Sequence, residues 1–214
     1  MHMYIKLLER IASRFSPSRV LSFNAVHVLK SLQLMQQNEY VSRARLSKEL
    51  GLGEGSIKTL IKHLKANNII QTAKAGCYLT GKGKKLSSNL LSAIPAEVSI
   101  PTNSVTVGNY NHAVLLRGYA FAVATGIEQR DALIKFGGQG ATTLLFKDGK
   151  FIMPRTDYDC LNEEPDMRNL LISELKPQED DVIIIGSASD KITAELGAKS
   201  AALFTIASHE KHDY

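Results

Sequence analysis

Apolar residues recur at helical spacing through the first half of the chain and at strand spacing through much of the second. Tyr4, Leu7, Leu8, Ile11 and Phe15 mark one face of a helix that Ser16-Pro17-Ser18 ends. A second helix is expected from about Phe23 to Gln36, with Val26, Val28, Leu29, Leu32 and Leu34 supplying its apolar content. Ser42 is placed to cap a short helix carrying Leu46 and Leu50; Gly51 stops it, and Leu52-Gly53 forms a tight turn. From Glu54 another helix sets Ile57, Leu60, Ile61 and Leu64 on one face. Its opposite face carries Ser56, Lys58, Thr59, Lys62 and Lys65. Ile69–Ala73 and Cys77–Leu79 then pair as a hairpin tipped by Lys74-Ala75-Gly76, and Thr80 caps a last helix that begins Gly81-Lys82-Gly83.

The stretch SAIPAEVSIPT has two prolines and little periodicity, and reads as a linker dividing residues 1–94 from 95–214. Beyond it, Ser104–Val107 and His112–Arg117 have strand character, and Ile127 to Phe136 that of a helix ended by Gly137-Gly138. Ala141–Lys147 and Lys150–Met153 flank Asp148-Gly149, a strong hairpin signal. Glu163 to Lys176 places Met167, Leu170, Leu171 and Leu175 on one helical face, and Asp181–Gly186 is a buried-type strand. Asp190–Leu196 reads as a short helix stopped by Gly197, with Ala201–Ile206 a closing strand or more helix. The order β-α-β-β-α-β predicts a small α/β domain of ferredoxin-like arrangement, and the chain as a whole is of the α+β class.

Charge sharpens this division. The net +5 conceals 15 Lys and Arg against 4 Asp and Glu in residues 1–94, and 11 against 17 in residues 95–214. The first half suits a polyanion; the second does not. No exposed aromatics interleave with the basic residues to stack single-stranded bases, so double-stranded DNA is the expected partner. No apolar run approaches the roughly 20 residues that cross a bilayer, and the N-terminal stretch lacks a signal-peptide core. A cytoplasmic protein without a membrane partner is expected. Cys77 and Cys160 form no CxxC pair, which argues against a disulfide framework or zinc knuckle.

The run LSKELGLGEGSIKTLIKHLKANNII and the ending YLTGKGKKL resemble the winged-helix domains of bacterial and archaeal transcription regulators, over roughly residues 20–92. That resemblance implies that the helix from Glu54 enters the major groove while the hairpin touches backbone or minor groove. The segments GIEQRDALIKFGGQGATTLLFKDGKFIMP and DDVIIIGSASDKITAELGAKSAAL extend the resemblance to an archaeal family of winged-helix proteins with a C-terminal domain of unassigned function. The two resemblances together imply a DNA-binding regulator whose second half dimerises and is a candidate sensor of a small-molecule effector. Ser56, Lys58, Thr59 and Lys62 are the expected groove contacts, with Lys74 in the wing and Lys82, Lys84 and Lys85 near phosphates. His63 is expected to face DNA or solvent, and the apolar N-terminal helix (Tyr4, Leu8, Ile11, Phe15) is one candidate dimer surface, the second half the other.

Candidate ligand groups lie in the second half. Gly186-Ser187-Ala188-Ser189-Asp190 is similar to the phosphate-contacting turn of aminoimidazole ribonucleotide carboxylase mutases, but too little chain comes after it for that fold. Ser187 or Ser189 is therefore expected to cap the helix, with Asp190 complementing its dipole; an anion at that helix end is the alternative. Gln129-Arg130-Asp131 and Arg117 are further ligand candidates, with a solvated Arg130–Asp131 salt bridge and an acidic structural partner for Arg117 as the favoured readings. His209 and His212 are spaced for a metal on a helix but occupy a polar tail. Gly137-Gly138-Gln139-Gly140 precedes a strand, and no Ser-His-Asp spacing, paired-carboxylate motif, Walker loop or GxGxxG occurs. No catalytic residue, cofactor or metal is expected. The rival reading is an enzyme carrying an appended winged helix, as in an archaeal riboflavin kinase, whose nucleotide motif this sequence lacks.

Overall fold

In the computed structural model, which describes residues 1–13 and 21–209, three helices of the first half begin where their capping side chains sit. Helix α1 (His2–Ile11) buries Ile5, Leu8 and Ile11, packing on α2 (Ala25–Gln37). Phe15 and Ser16-Pro17-Ser18 fall outside the described residues. Helix α2 opens with a capping box: the Asn24 side chain accepts from the Val26 amide at 3.1 Å, and His27 Nδ1 accepts from the Asn24 amide at 3.2 Å. The Ser42 hydroxyl accepts from the Arg45 amide at 3.1 Å to start α3 (Arg43–Leu50), and Gly51, at φ 64°, ends it. Helix α4 (Glu54–Ala66) buries Ile57, Leu60, Ile61 and Leu64, the apolar face read from its spacing.

The hairpin of β1 (Ile70–Ala73) and β2 (Gly76–Leu79) comes directly after α4, and Val41 adds to β2 by exchanging two 2.9 Å backbone hydrogen bonds with Cys77. Gly76 is required there. Its φ is 141°, and a Cβ would stand 2.6 Å from the Val41 carbonyl oxygen. Thr80 accepts from the Gly83 amide at 3.0 Å, capping α5 (Gly81–Ala93) as expected. Met1–Leu90 form one compact unit of the chain and Leu91–Tyr214 the other.

The second unit is built on a five-stranded sheet in the order β3-β4-β7-β5-β6, antiparallel throughout. Its strands are β3 (Glu97–Ile100), β4 (Tyr110–Leu116), β5 (Gly140–Lys147), β6 (Lys150–Ile152) and β7 (Asp181–Ala188). Three expectations are corrected. The EVSI of the supposed linker is β3, an edge strand; Pro95 and Pro101 flank it, where a missing amide costs no ladder bond. Ser104–Val107 is a turn, because the Asn103 side chain accepts from the Val105 amide at 2.9 Å and Thr106 accepts from the Asn103 amide at 2.9 Å. The arrangement is not ferredoxin-like either. That fold keeps its last strand at the edge, whereas β7, with all eight residues buried, sits in the centre between β4 and β5.

One sheet face packs its Leu115, Leu144, Ile183 and Ile185 with Phe151 and with Met167, Leu171 and Leu175 of α7 (Pro165–Leu175). By strand alternation the other face carries Ile184 and Gly186, covered by α6 (Ile127–Phe136) and α8 (Lys191–His209). Helix α8 does not stop at Gly197 but runs through it. A Cβ at Gly197 would stand 3.0 Å from Leu133 Cγ, so the glycine serves close approach between α6 and α8 rather than termination. Ala201–Ile206 is accordingly helix.

Candidate nucleic-acid interface

The turn between α3 and α4 is held by the Ser47 hydroxyl, which donates to the Leu52 carbonyl at 2.5 Å, while Gly53 leads into α4 without a side-chain cap. Buried Leu46, Leu50, Ile57 and Leu60 turn the opposite side of α4 outward. Lys58 and Lys62 are exposed there, and Ser56 and Thr59 are half-buried. The Thr59 hydroxyl donates to the Gly55 carbonyl at 3.0 Å, which leaves its lone pairs to accept.

Two grooves border this face. One lies between α3 and α4, lined by Arg43, Ser47, Lys48, Glu54 and Lys58. The other lies between α4 and the hairpin, lined by Arg43, Lys65, Thr72 and Lys74. Arg43 belongs to both. Sequence reasoning placed Lys58, Lys62 and Lys65 on this face and Lys74 in the wing, but missed Arg43 and Lys48 as partners in the same surface. The available signal was the basic run after the Ser42 cap, which spacing alone assigns to a solvated helix. The Cys77 thiol beneath the hairpin groove is pushed up by burial, against the opposing pull of the Arg43 and Lys65 charges. Lys82 Nζ donates to the Asn67 carbonyl at 2.9 Å, tying α5 to the end of α4. Lys84 lines a separate cavity with Tyr40 and Tyr78, and Lys85 is exposed.

One first-half expectation fails. His63 is 2% exposed, its Nδ1–H donates to the Ile11 carbonyl at 2.7 Å, and it meets the Phe23 ring edge-on. It fastens α4 to α1 and faces neither DNA nor solvent. Of the apolar stripe of α1, Leu8 and Ile11 are buried within the unit, where α1 packs on α2, Tyr4 is half-buried, and Phe15 lies outside the described residues.

The ligand candidates of the second unit do not converge. Arg117 pairs with Asp181 at 2.6 Å; the fully buried carboxylate also accepts from the Gly118 and Gln178 amides at 2.8 Å each, which makes it the acidic structural partner expected. Ser187 lies in β7, where its hydroxyl donates to Asn111 Oδ1 at 2.6 Å, so it caps nothing. From the β4–β7 register it stands roughly 20 Å from Arg117. The cap of α8 is Asp190 itself, accepting from the Thr193 amide at 2.9 Å, and that hydrogen bond holds its carboxyl below the usual range. Ser189 is exposed. Gln129 is buried and donates to Thr205 at 2.9 Å between α6 and α8, whereas Arg130 and Asp131 form an exposed pair. Arg130 also lines a cavity at the start of α6. The side chain of His209, and all of His212, lie outside the described residues.

Sequence reasoning also missed a buried polar cluster. Glu97, His112 and Glu195 bring possible ligand atoms within 4.8 Å of one another, a donor set that suits a metal. Lys199, fully buried, reaches between the two carboxylates, 2.8 Å from Glu97 and 2.5 Å from Glu195. The cation that these carboxylates hold is the chain's own ammonium. No helix among the described residues is long and apolar enough to cross a membrane.

Comparison with known proteins respects the same division. Residues 27–85 match the model described as PH0730-like, N-terminal domain, and residues 107–206 match a domain of unknown function, DUF4443. The chain is similar to the solved structure of hypothetical protein PH0730 from Pyrococcus horikoshii OT3, an archaeal protein. They share 26% identity and a TM-score of 0.71, covering 88% of this chain and 95% of that one. No curated protein matches.

Proposed function

We propose that the first unit is a winged helix that binds duplex DNA, with α4 as the recognition helix and β1–β2 as the wing, and that the protein is a transcriptional regulator. The observation that carries this reading is the pair of grooves flanking α4, joined at Arg43 and edged by Lys48, Lys58, Lys65 and Lys74. A helix between two cation-lined grooves matches the way a major groove is flanked by two phosphate strands. Lys58 and Lys62, with Ser56 and Thr59, face base edges; Arg43, Lys48 and Lys74 meet phosphates. The second unit supplies dimerisation and effector sensing, since a single recognition helix reads few base pairs and half-sites about 34 Å apart are the usual remedy.

Fluorescence anisotropy of the full chain with labelled genomic duplexes tests the reading. Affinity should fall at least about tenfold between 50 and 200 mM salt through counterion release. Absence of duplex binding at low salt overturns it.

A further inference from the structure

We infer that the second unit binds a small organic monocarboxylate in the cavity at the start of α6. The cavity, of about 320 Å³, lies between the first turn of α6, the open edge of β5 and the Met153–Thr156 turn. Its volume is at the lower end for small-molecule sites and suits a ligand of amino-acid size.

Three independent features converge there. Helix α6 starts at Gly126 with no side-chain cap, and the Thr125 hydroxyl serves only the Ile127 amide, at 3.2 Å. A helix start in this condition presents orphan amides and partial positive charge. Thr143 of β5 lines the same cavity, is 5% exposed, and its hydroxyl has no hydrogen-bond partner among the described residues. Buried hydroxyls are paired in native folds, so a lone one at a cavity wall marks a position for a ligand oxygen. Gly126 keeps the corner between them open: a Cβ there would stand 3.3 Å from Thr143 Oγ1 and 3.8 Å from Pro154 Cγ.

The lining also selects the class of ligand. Arg130 is the cation on the wall, and its contact with Asp131 at 3.2 Å is a half-exposed surface pair that competes weakly. Glu128, accepting from the Thr125 hydroxyl at 3.3 Å, adds negative charge beside the helix start. Arg130 and Arg155, whose Nε donates to the Ala124 carbonyl at 3.2 Å beside the helix start, are offset by Asp131 and Glu128; with the helix end, that balance suits a single negative charge and rejects a polyphosphate. Ile127, 50% exposed, and Met153, 39% exposed, give the body of the ligand an apolar wall. On β5, pairing with β6 covers only Leu145 to Lys147, so the Ala141–Thr143 edge is left to meet an amino or keto group. The site stands on the geometry of this unit; only its coupling to DNA rests on the function proposed above.

Thermal melts of the full chain without DNA keep the two separate. The probes are L-leucine, 4-methyl-2-oxopentanoate and benzoate at millimolar concentration, with inorganic phosphate and ATP alongside. At least one monocarboxylate should raise Tm, by about 4 °C at ten times its Kd, and phosphate and ATP should not. Thr143→Val removes the lone hydroxyl at constant shape, so the ligand-free Tm should rise while the ligand-induced shift shrinks. Arg130→Gln should leave the ligand-free Tm nearly unchanged and abolish the shift. No shift with any monocarboxylate, equal shifts in wild type and both variants, or a larger shift with phosphate or ATP each overturn the site. Failure of DNA binding has no bearing on any of these readings.

Discussion

Acidification from pH 7 to pH 5 should weaken the first unit through one histidine. His27, 8% exposed at the start of α2, has its pKa lowered by burial from 6.5 to about 4. Its Nδ1 accepts the Asn24 amide hydrogen, which only an unprotonated Nδ1 can do. In the unfolded chain the ring titrates near its ordinary value. Between these two values the unfolded state therefore holds a proton that the folded state refuses. For a base with a depressed folded pKa, stability is full above the unfolded value and declines as pH falls. It reaches its floor below the folded value. The whole gap is worth about 3 kcal/mol, of which about 2 kcal/mol is lost between pH 7 and pH 5. Against a typical total of about 5–15 kcal/mol that loss is readily measured. His27→Gln keeps a neutral acceptor at the third helical position, as capping boxes commonly do, and removes the titration. Urea melts followed by far-UV circular dichroism at pH 7, 6 and 5 give the comparison. Wild-type stability minus variant stability should fall by about 2 kcal/mol toward pH 5. A difference that stays constant across that range refutes the burial argument.

Four further outcomes are expected. Lys74→Ala and Arg43→Ala should each flatten the slope of log affinity against log salt by about one unit, read by anisotropy titrations, as residues proposed to meet phosphates. Asp190→Ala should cost about 0.5–2 kcal/mol in urea melts at pH 7. Because its folded pKa is depressed, that contribution is present above the unfolded carboxylate value and vanishes as pH falls through the folded one, so wild type and variant converge in acid. Gly76→Ala should cost about 1–3 kcal/mol by combining a left-handed backbone with a Cβ against Val41; an unchanged melt would show that the hairpin shifts freely. Asp181→Ala should cost about 3–5 kcal/mol, since it strands the Arg117 guanidinium and two amide donors; a loss under 1 kcal/mol would count against a buried pair.

What the sequence revealed divides by the range of the interaction responsible. Caps are local, and Ser42, Gly51, Thr80 and the Asp148-Gly149 hairpin were legible because a few neighbouring residues decide them. Register and strand order are not local. Nothing within Asp181–Ala188 says that it separates β4 from β5, and an all-buried strand has no alternation to show which neighbours it takes. The EVSI strand was hidden by its flanking prolines, which mark loops as often as edge-strand ends. Gly197 misled because a glycine that ends a helix and one that admits a neighbouring leucine look alike along the chain. His63 and Ser187 misled for a similar reason: both are polar, and their partners Ile11 and Asn111 lie far away in sequence. The candidate interface was legible in the charge of α4 and the wing, but its α3 side was not, since only tertiary packing brings Arg43 beside both.

The basic residues around α4 and the buried or half-buried cations of the second unit are used differently, and that contrast bears on function more than net charge does. In the second unit, Arg117, Arg168 and Lys199 each meet a carboxylate, and Lys199 meets two. Those charges are committed to the fold: removing Asp181 would leave the half-buried Arg117 guanidinium unpaired. In the first unit, Lys48, Lys58, Lys62 and Lys74 are exposed, and none takes part in an ion pair among the described residues. Clustered like charges of this kind repel one another and contribute nothing to folding, so their placement calls for a cause outside the unit. The duplex DNA proposed above would be such a cause, because each ammonium brought near a dense line of phosphates releases a condensed counterion. Neutral replacement of these lysines should therefore leave the first unit as stable as before, or slightly more so, while DNA affinity falls. A structural role would make stability and affinity fall together.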